Sequence, residues 1–556
     1  MTRTTGKGSP ISRRGALRLA GGAGAAAVLA ACGNDSGANA PTPGAGIPTA
    51  GAAPTAAPAA TTGVPMATGS ASPASAVAGM TASTAMITLP NTGAKISADK
   101  ATFRWTDSGD SKAIFFKQWF AKFQGAHPNI TMQYDGLPWT EIEKVVTLGV
   151  QNGNAPDVFQ VPLSVPTFQA VQQGWVMPLE EIVPNFAQWK AAFPPNSFFE
   201  GINVFNGKTY TFPRSTSKRT SNQLFFNREL MQRAGYDPAA KRFTWNEFRA
   251  AAKKLTEQGA GKYFGLITGG NQANRWADTV RGFAQIAGAP SSGDFDLRTG
   301  EFAYTSDQIV AAIELLLSLK SDGSVFPGSL TINEAEARAR TAQGNAGMIF
   351  AGEFASPLWL RDNPGFDFDV AQAPAPNTGT PLPMTYSIGA NHQWLYAKSS
   401  AASRIVAGEI FTYLGAEAGQ ATFVTITDGS DPAAFPGANT QAKLDERTRR
   451  SYAVNDQTLR LGPMPQVRNP DVSQVLLERK ATQPNFGTII QGIYTGQVRD
   501  IRPALKELQD REERELERAI KAAQMKGAKV SRDDWKFANW DPARDYTEAD
   551  YAALKK

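Results

Sequence analysis

The 556-residue chain is long enough for two large lobes plus extensions, and its 42% hydrophobic and 19% charged residues are those of a soluble globular protein. Residues 1–31 carry Arg3, Lys7, Arg13, Arg14 and Arg18 and no acid, so the formal charge of +6 falls to +1 without them, which leaves no basic excess for nucleic-acid binding. One cysteine and two histidines exclude a disulfide within the chain and argue against a Cys/His zinc site, and no cofactor is expected.

Residues 1–31 read as an export address. Ser12-Arg13-Arg14-Gly15-Ala16-Leu17-Arg18 resembles a twin-arginine signal, although Ala16 replaces the usual bulky residue, so the twin-arginine and general routes both stay open. The apolar run 19–31 is shorter than the ~20 residues a stable span requires. It ends in Leu29-Ala30-Ala31-Cys32-Gly33, which resembles the lipobox of bacterial lipoproteins. The resemblance implies that the Cys32 thiol is alkylated by diacylglycerol and becomes the mature N-terminus. That would anchor the protein on the outer face of the cytoplasmic membrane, in a periplasm or at the cell surface. Residues 32–98 continue as Ala, Pro, Thr, Gly and Ser, a composition that cannot bury enough surface to offset its ordering entropy. They are expected to form a disordered tether with a reach of roughly 40–50 Å.

The body opens with a strand at 101–105, followed by Asp107-Ser108-Gly109-Asp110. Phe116, Trp119, Phe120 and Phe123 then recur at helical spacing and read as core. A second strand is expected at 130–134, and a helix at 139–150 opened by Pro138 and Trp139. The apolar run 223–226 reads as a buried strand. Asn227 suits the N-cap of the next helix, and Gly235 its left-handed terminator. Thr244 and Glu247 form a capping box, with Phe248, Ala251, Ala252 and Leu255 as one apolar stripe. A strand at 263–268 leads through the turn 269–276 into a helix at 276–287. Further helices are expected at 309–322, 401–414, 475–479 and 503–525. The tail, with Trp535, Trp540, Tyr546 and Tyr551, reads as a packed cap. These elements alone describe an α/β protein.

The wording of several segments adds to this. Gly207, Lys208, Tyr210 and Pro213 precede "FFNRELMQRAG" and "FTWNEF", then "AAKKLT". Gly153, Pro156, Asp157 and Val158 open an earlier strand, and Gly344, Ala346, Gly347, Met348 and Gly352 form a later block. Thr341 stands where that block usually has an aromatic, and Phe354 where it usually has tryptophan. Together these resemble the extracytoplasmic solute-binding proteins of ABC importers, of the sugar-capturing, maltose-binding-like type. The resemblance implies an α/β, two-lobed periplasmic-binding-protein-like fold of type II, with mixed sheets flanked by helices and a ligand cleft between the lobes. Lobe 1 is expected from residues 99–213 and 385–435, and lobe 2 from 214–384 and 436–527, with 528–556 packed on the body. Crossings are expected near 212–215, 381–387 and 431–439. The implied partners are a small-molecule ligand, a carbohydrate for this type, and the permease subunits of an importer; the protein is expected to act as a monomer.

A sugar presents hydroxyls around its rim and C–H groups on its faces, so its site needs directed polar groups and flat aromatic platforms. The resemblance places Asp107, Gln160, Asn271, Arg275 and Glu353 in cleft-lining loops to meet hydroxyls, with Trp276 and Phe354 as platforms. A core indole is the alternative for Trp276. Trp139 is a further member whose helix-start position also suits core packing. His392 is a hydroxyl donor or a locally satisfied histidine. Arg214, Lys218 and Arg219 keep a charged ligand open, such as a glycerol-phosphate ester or an opine, with a polyamine as the cationic counterpart. A secreted carbohydrate-active enzyme is the remaining alternative. No GxSxG, HExxH or P-loop pattern and no recognisable acid/base pair occurs in the chain, and an enzyme is not expected.

Overall fold

In a computed structural model of the protein, the described residues are 86–96, 98–162, 164–290, 294–389 and 393–554. The export signal, Cys32, the tether up to residue 85 and His392 lie outside them.

The strands are β1 (Ala101–Asp107), β2 (Ile130–Gly136), β3 (Val158–Phe159), β4 (Val204–Phe205), β5 (Lys208–Thr209) and β6 (Gln223–Asn227), then β7 (Phe264–Ile267), β8 (Ala346–Ala351), β9 (Phe368–Ala371), β10 (Met384–Tyr386), β11 (Trp394–Leu395) and β12 (Leu459–Leu461). They form two four-stranded mixed sheets. The first has the order β11-β3-β1-β2, with β1 parallel to β2 and β3 and β11 antiparallel to β3. The second has the order β7-β8-β6-β9, with β7 parallel to β8 and β6 antiparallel to β8 and β9. Helices cover both sheets, which gives the two-lobed α/β architecture.

The first lobe is built on aromatic packing. In β1, Phe103 and Trp105 are fully buried, and the helix Lys112–Ala126 buries Phe115, Phe116, Trp119, Phe120 and Phe123 beside them. The Trp105 and Phe116 rings lie 4.5 Å apart. This core is completed from far along the chain, by Phe411 at 6.3 Å from Trp105 and Phe423 at 4.9 Å from Phe115. Two boundaries differ from expectation. Ile87 is fully buried in this core, with Leu89 and Ile96 packed against it, so the ordered body begins before residue 99. The apolar side chains of Met86-Ile87-Thr88-Leu89 interrupt the tether composition there. Ala438 and Ala442 also belong to the first core, so the chain leaves this lobe later than residue 435.

The second lobe follows local chemistry closely. Asn227 accepts from Leu230 N at the start of the helix Arg228–Ala234, and Gly235 ends it at φ 79°. Both halves of the Thr244/Glu247 capping box form on the helix Trp245–Gly259, a device in which the cap residue alone is worth about 1 kcal/mol.

Two connections between the lobes lie side by side with the 431–433 segment of the first lobe. Ser215 pairs with Ala433, and Thr216 N donates to Pro432 O at 2.9 Å. The second connection follows β10, which itself pairs with β12. It therefore starts after residue 386 rather than at 381. Gly389 N reaches Ser217 Oγ at 3.1 Å, and Thr211 Oγ1 donates to Gln393 O at 2.8 Å. The tail packs Phe537, Trp540, Tyr546 and Tyr551 against Phe199, Ile202, Leu297 and Ile388. It thus touches segments on either side of the connections.

Candidate functional site

The first connection reads Arg214-Ser-Thr-Ser-Lys-Arg-Thr-Ser221, dense in hydroxyls and cations. Its cations are balanced within the fold. Arg214 is buried, pairs with Asp431 at 3.0 Å and lies 4.2 Å over the Phe423 ring. Arg219 bonds Glu353 at 2.5 Å and Asp431 at 2.7 Å. Lys218 pairs with Asp545 of the tail at 2.6 Å. Burial alone would raise the Asp431 carboxyl, but the Arg219 and Arg214 guanidiniums outweigh it and hold the group well below the usual carboxylate range. Glu353 also accepts from Asn455 Nδ2 at 3.3 Å, and Asn455 accepts from Gln223 Nε2 at 2.7 Å. The network therefore ties the first connection and the first-lobe segment around Asp431 to the second sheet.

Beside it opens a pocket of about 380 Å³ whose lining includes Ser217, Arg219, Thr220, Glu353, Phe354 and Tyr386, within the ~300–1,000 Å³ of small-molecule sites. Tyr386 Oη and Thr220 Oγ1 are 2.7 Å apart, and burial pushes the Tyr386 hydroxyl up to about 12, so it remains a neutral donor and acceptor. Phe354 is half-buried, with the Arg338 guanidinium 4.9 Å from its ring centre. From the first lobe, Ser111 Oγ accepts from Arg361 Nη1 at 3.4 Å, and the carboxylate of Asp110 acts on both Arg338 and Arg361. Two larger depressions, of about 540 and 570 Å³, lie elsewhere: one between the helix Lys112–Ala126 and β2, the other lined by Lys218, Pro432 and Arg449. Neither is lined by a residue expected to meet a sugar, although Lys218, named for a charged ligand, lines the second.

Of those residues, the structure brings Glu353 and Phe354 together in the pocket, and Arg275 is near enough to act on Tyr386 and Asp278. Arg275 itself is held by Glu334 at 3.3 Å. Trp276 is core: it is 4% exposed, its Nε1 donates to Gly270 O at 2.8 Å, and its ring lies 4.4 Å from that of Tyr494. Its helix Ala273–Ile286 buries Trp276, Ala277, Val280, Phe283 and Ala284 as one stripe, and that phase turns the indole inward. Trp359 and Trp394 are core as well. Asn271 is exposed, with only a 3.5 Å contact from Nδ2 to Thr331 O.

Asp107 is fully buried, and its carboxylate is spent on Trp105 Nε1 at 3.2 Å, Gly109 N at 2.8 Å and the Tyr134 hydroxyl. It shapes the loop after β1 instead of presenting a free oxygen. Gln160 supports the same loop through Ser108 N at 2.8 Å, and its buried Nε2 has no partner among the described residues. Trp139 is half-buried at the start of the helix Trp139–Asn152 and packs against the core containing Phe159 and Trp394. These three stand at the carboxyl ends of parallel strands, where open α/β sheets bind ligands. Sequence reasoning missed Tyr386, Asp278, Ser217 and Thr220. The Ser/Thr density of 215–221 was the available signal for two of them.

The profile described as bacterial extracellular solute-binding protein matches residues 109–421. A binding protein of Brucella abortus (strain 2308) is 25% identical over 305 residues, 54% of this chain and 69% of its own. Among solved structures, maltose-bound MalE3 of T. maritima has a TM-score of 0.56 at 19% identity, covering 74% of this chain and 99% of that one. The GacH receptor of Streptomyces glaucescens, solved unliganded and with acarbose, has a TM-score of 0.55 at 16% identity, covering 75% and 99%. The protein Lmo0181 of Listeria monocytogenes, in complex with cycloalternan, has a TM-score of 0.53 at 18% identity, covering 75% and 99%.

Proposed function

The chain belongs to the family of bacterial extracellular solute-binding proteins, and from that premise we propose that it captures a neutral sugar, oligosaccharide or polyol at the lobe connections and delivers it to an ABC permease. The observation that carries this reading is the chemistry of the 380 Å³ pocket. The Ser217, Thr220 and Tyr386 hydroxyls, the Phe354 ring and an already neutralised Arg219 suit a ligand that is polar, flat-faced and uncharged. The three cations that kept an acidic ligand open each have a carboxylate partner, so an anion would have to displace one. The acarbose and cycloalternan of two proteins of like fold are in keeping with this class.

Arg219 gives the binding event a mechanical outlet. It lines the pocket and at the same time holds Asp431, two residues before Ala433 of the first-lobe core. A ligand that engages Arg219 in one lobe arrangement and not the other shifts the balance between open and closed forms. The permease can then distinguish loaded from empty carriers. Phe354 and Arg275 are proposed as ligand-facing; Glu353, itself buried, holds Arg219 in the pocket wall, while Asp107 and Gln160 hold the loop that faces them from the first lobe.

A thermal-shift panel of neutral sugars and polyols against phosphorylated and cationic solutes tests the reading. Ligand at a hundred times its Kd stabilises by about 2.7 kcal/mol. Shifts from charged solutes alone would transfer the function to a charged ligand, and turnover of a sugar would make the protein an enzyme. Export and lipid anchoring through Cys32 form part of the proposal. Cys32→Ala should release the protein from membranes with its fold intact, and retention on the membrane would refute the anchor.

A further inference from the structure

A second compartment, of about 390 Å³, adjoins the first and shares Asp278, Tyr386 and Ser387 with it. Its other walls include Arg281, Gln285 and Phe295. The two compartments repeat one set of chemical groups. The first has the Phe354 ring and a guanidinium, Arg219, neutralised by Glu353 at 2.5 Å. The second has the Phe295 ring and a guanidinium, Arg281, neutralised by Asp294 at 2.6 Å. Each set offers a flat apolar face, fixed N–H donors without net charge, and nearby hydroxyl or amide groups.

At the junction stands Asp278. Its side chain is 42% exposed, its nearest cation is Arg281 Nη1 at 3.8 Å, and no described residue donates a hydrogen bond to its carboxylate. Two oxygens with unspent acceptor capacity therefore sit where the compartments meet. Vicinal hydroxyls flanking a linkage between two rings would satisfy them.

We propose that the ligand is a linear molecule of at least two sugar rings, one seated against Phe354 and one against Phe295, with Asp278 accepting hydroxyls at the join. This rests on the sugar reading above and adds the length of the ligand and a specificity-determining residue. The far ring is recognised by groups from the helix Ala273–Ile286 and the segment 294–295, away from the network that holds the connections.

The test is isothermal titration of the full-length protein with glucose, xylose and mannose and with maltose, cellobiose, xylobiose and mannobiose. At least one disaccharide should bind tenfold or more tightly than its monosaccharide. Phe295→Ala should reduce that ratio to near one. Phe295 also stacks on Phe302 at 4.2 Å, so Phe295→Leu, which fills the space without a flat face, serves as the second variant and should lose most of the ratio. A ratio that survives in both folded variants, or equal binding of mono- and disaccharide by the parent, overturns the second compartment and leaves the sugar reading standing. Binding of no sugar in the panel overturns the sugar reading, and this proposal with it.

Discussion

Asp431→Ala should be among the most damaging single changes at the lobe connections. Among the described residues Asp431 is the only ion-pair partner of Arg214, whose side chain is fully buried, whereas Arg219 would keep Glu353. Removing one member of a buried pair costs roughly 3–5 kcal/mol, because the other charge is left uncompensated. The Phe423 ring beneath Arg214 offsets only part of that, since a desolvated cation–π contact is worth about 2 kcal/mol and is already present in the parent. Melting should fall by roughly 3–5 °C, measured without ligand. Asp431 is held below its unfolded value of about 3.9, so its contribution is complete above that pH and is lost as pH falls through the folded value. The gap between parent and variant should stay constant from pH 8 to about 4 and close only in stronger acid. The paired replacement Arg214→Met with Asp431→Leu should recover most of the loss. A single variant that melts with the parent, or a double variant as damaged as the single, would refute the reasoning.

Trp276→Ala should cost about 3–5 kcal/mol of stability while the folded fraction binds sugar as the parent does; the reverse pattern in calorimetry would return Trp276 to the binding wall. Phe354→Ala should weaken sugar binding about tenfold with little change in unliganded melting. Burial raises the Asp278 carboxyl more than Arg275 and Arg281 lower it, so sugar affinity should decline as pH falls through that raised value and be flat with pH in Asp278→Asn. A raised carboxyl costs folded stability above its unfolded pKa, so the unliganded Asn variant should melt no lower than the parent at pH 7. Deleting residues 531–556 would uncover Leu297, Ile388 and Phe199 and should lower the melting temperature; an unchanged melt would mean that the cap contributes nothing.

What was legible in the sequence was mostly local. The Asn227 cap, the Thr244/Glu247 box and the left-handed Gly235 depend on residues within one helical turn, and each appears in the structure. Glu353 and Phe354, which line the pocket, were singled out because they follow a glycine-rich strand whose wording is shared within the family. Trp276 was left between platform and core indole although its helix carried the signal, since Ala277, Val280 and Phe283 set the phase that buries it. For Asp107 the obstacle was distance along the chain. Nothing in "TDSGD" reveals that Tyr134, 27 residues on, brings a hydroxyl to that carboxylate. The pocket was hidden in the same way, because residues 216–221, 278, 353–354 and 386–389 meet only where separate connections converge.

The aromatic core of the first lobe also fixes an order of events during synthesis. Phe115, Phe116, Trp119, Phe120 and Phe123 leave the ribosome about 300 residues before Phe411 and Phe423, the rings that complete their burial. At ~5–20 residues per second, that leaves the aromatic helix without its distant partners for roughly 15–60 s. During that interval the nascent chain exposes five large rings within nine residues, a substrate for any holdase that recognises aromatic clusters. Folding of the lobe that starts first must wait for the part of the chain made after most of the second lobe.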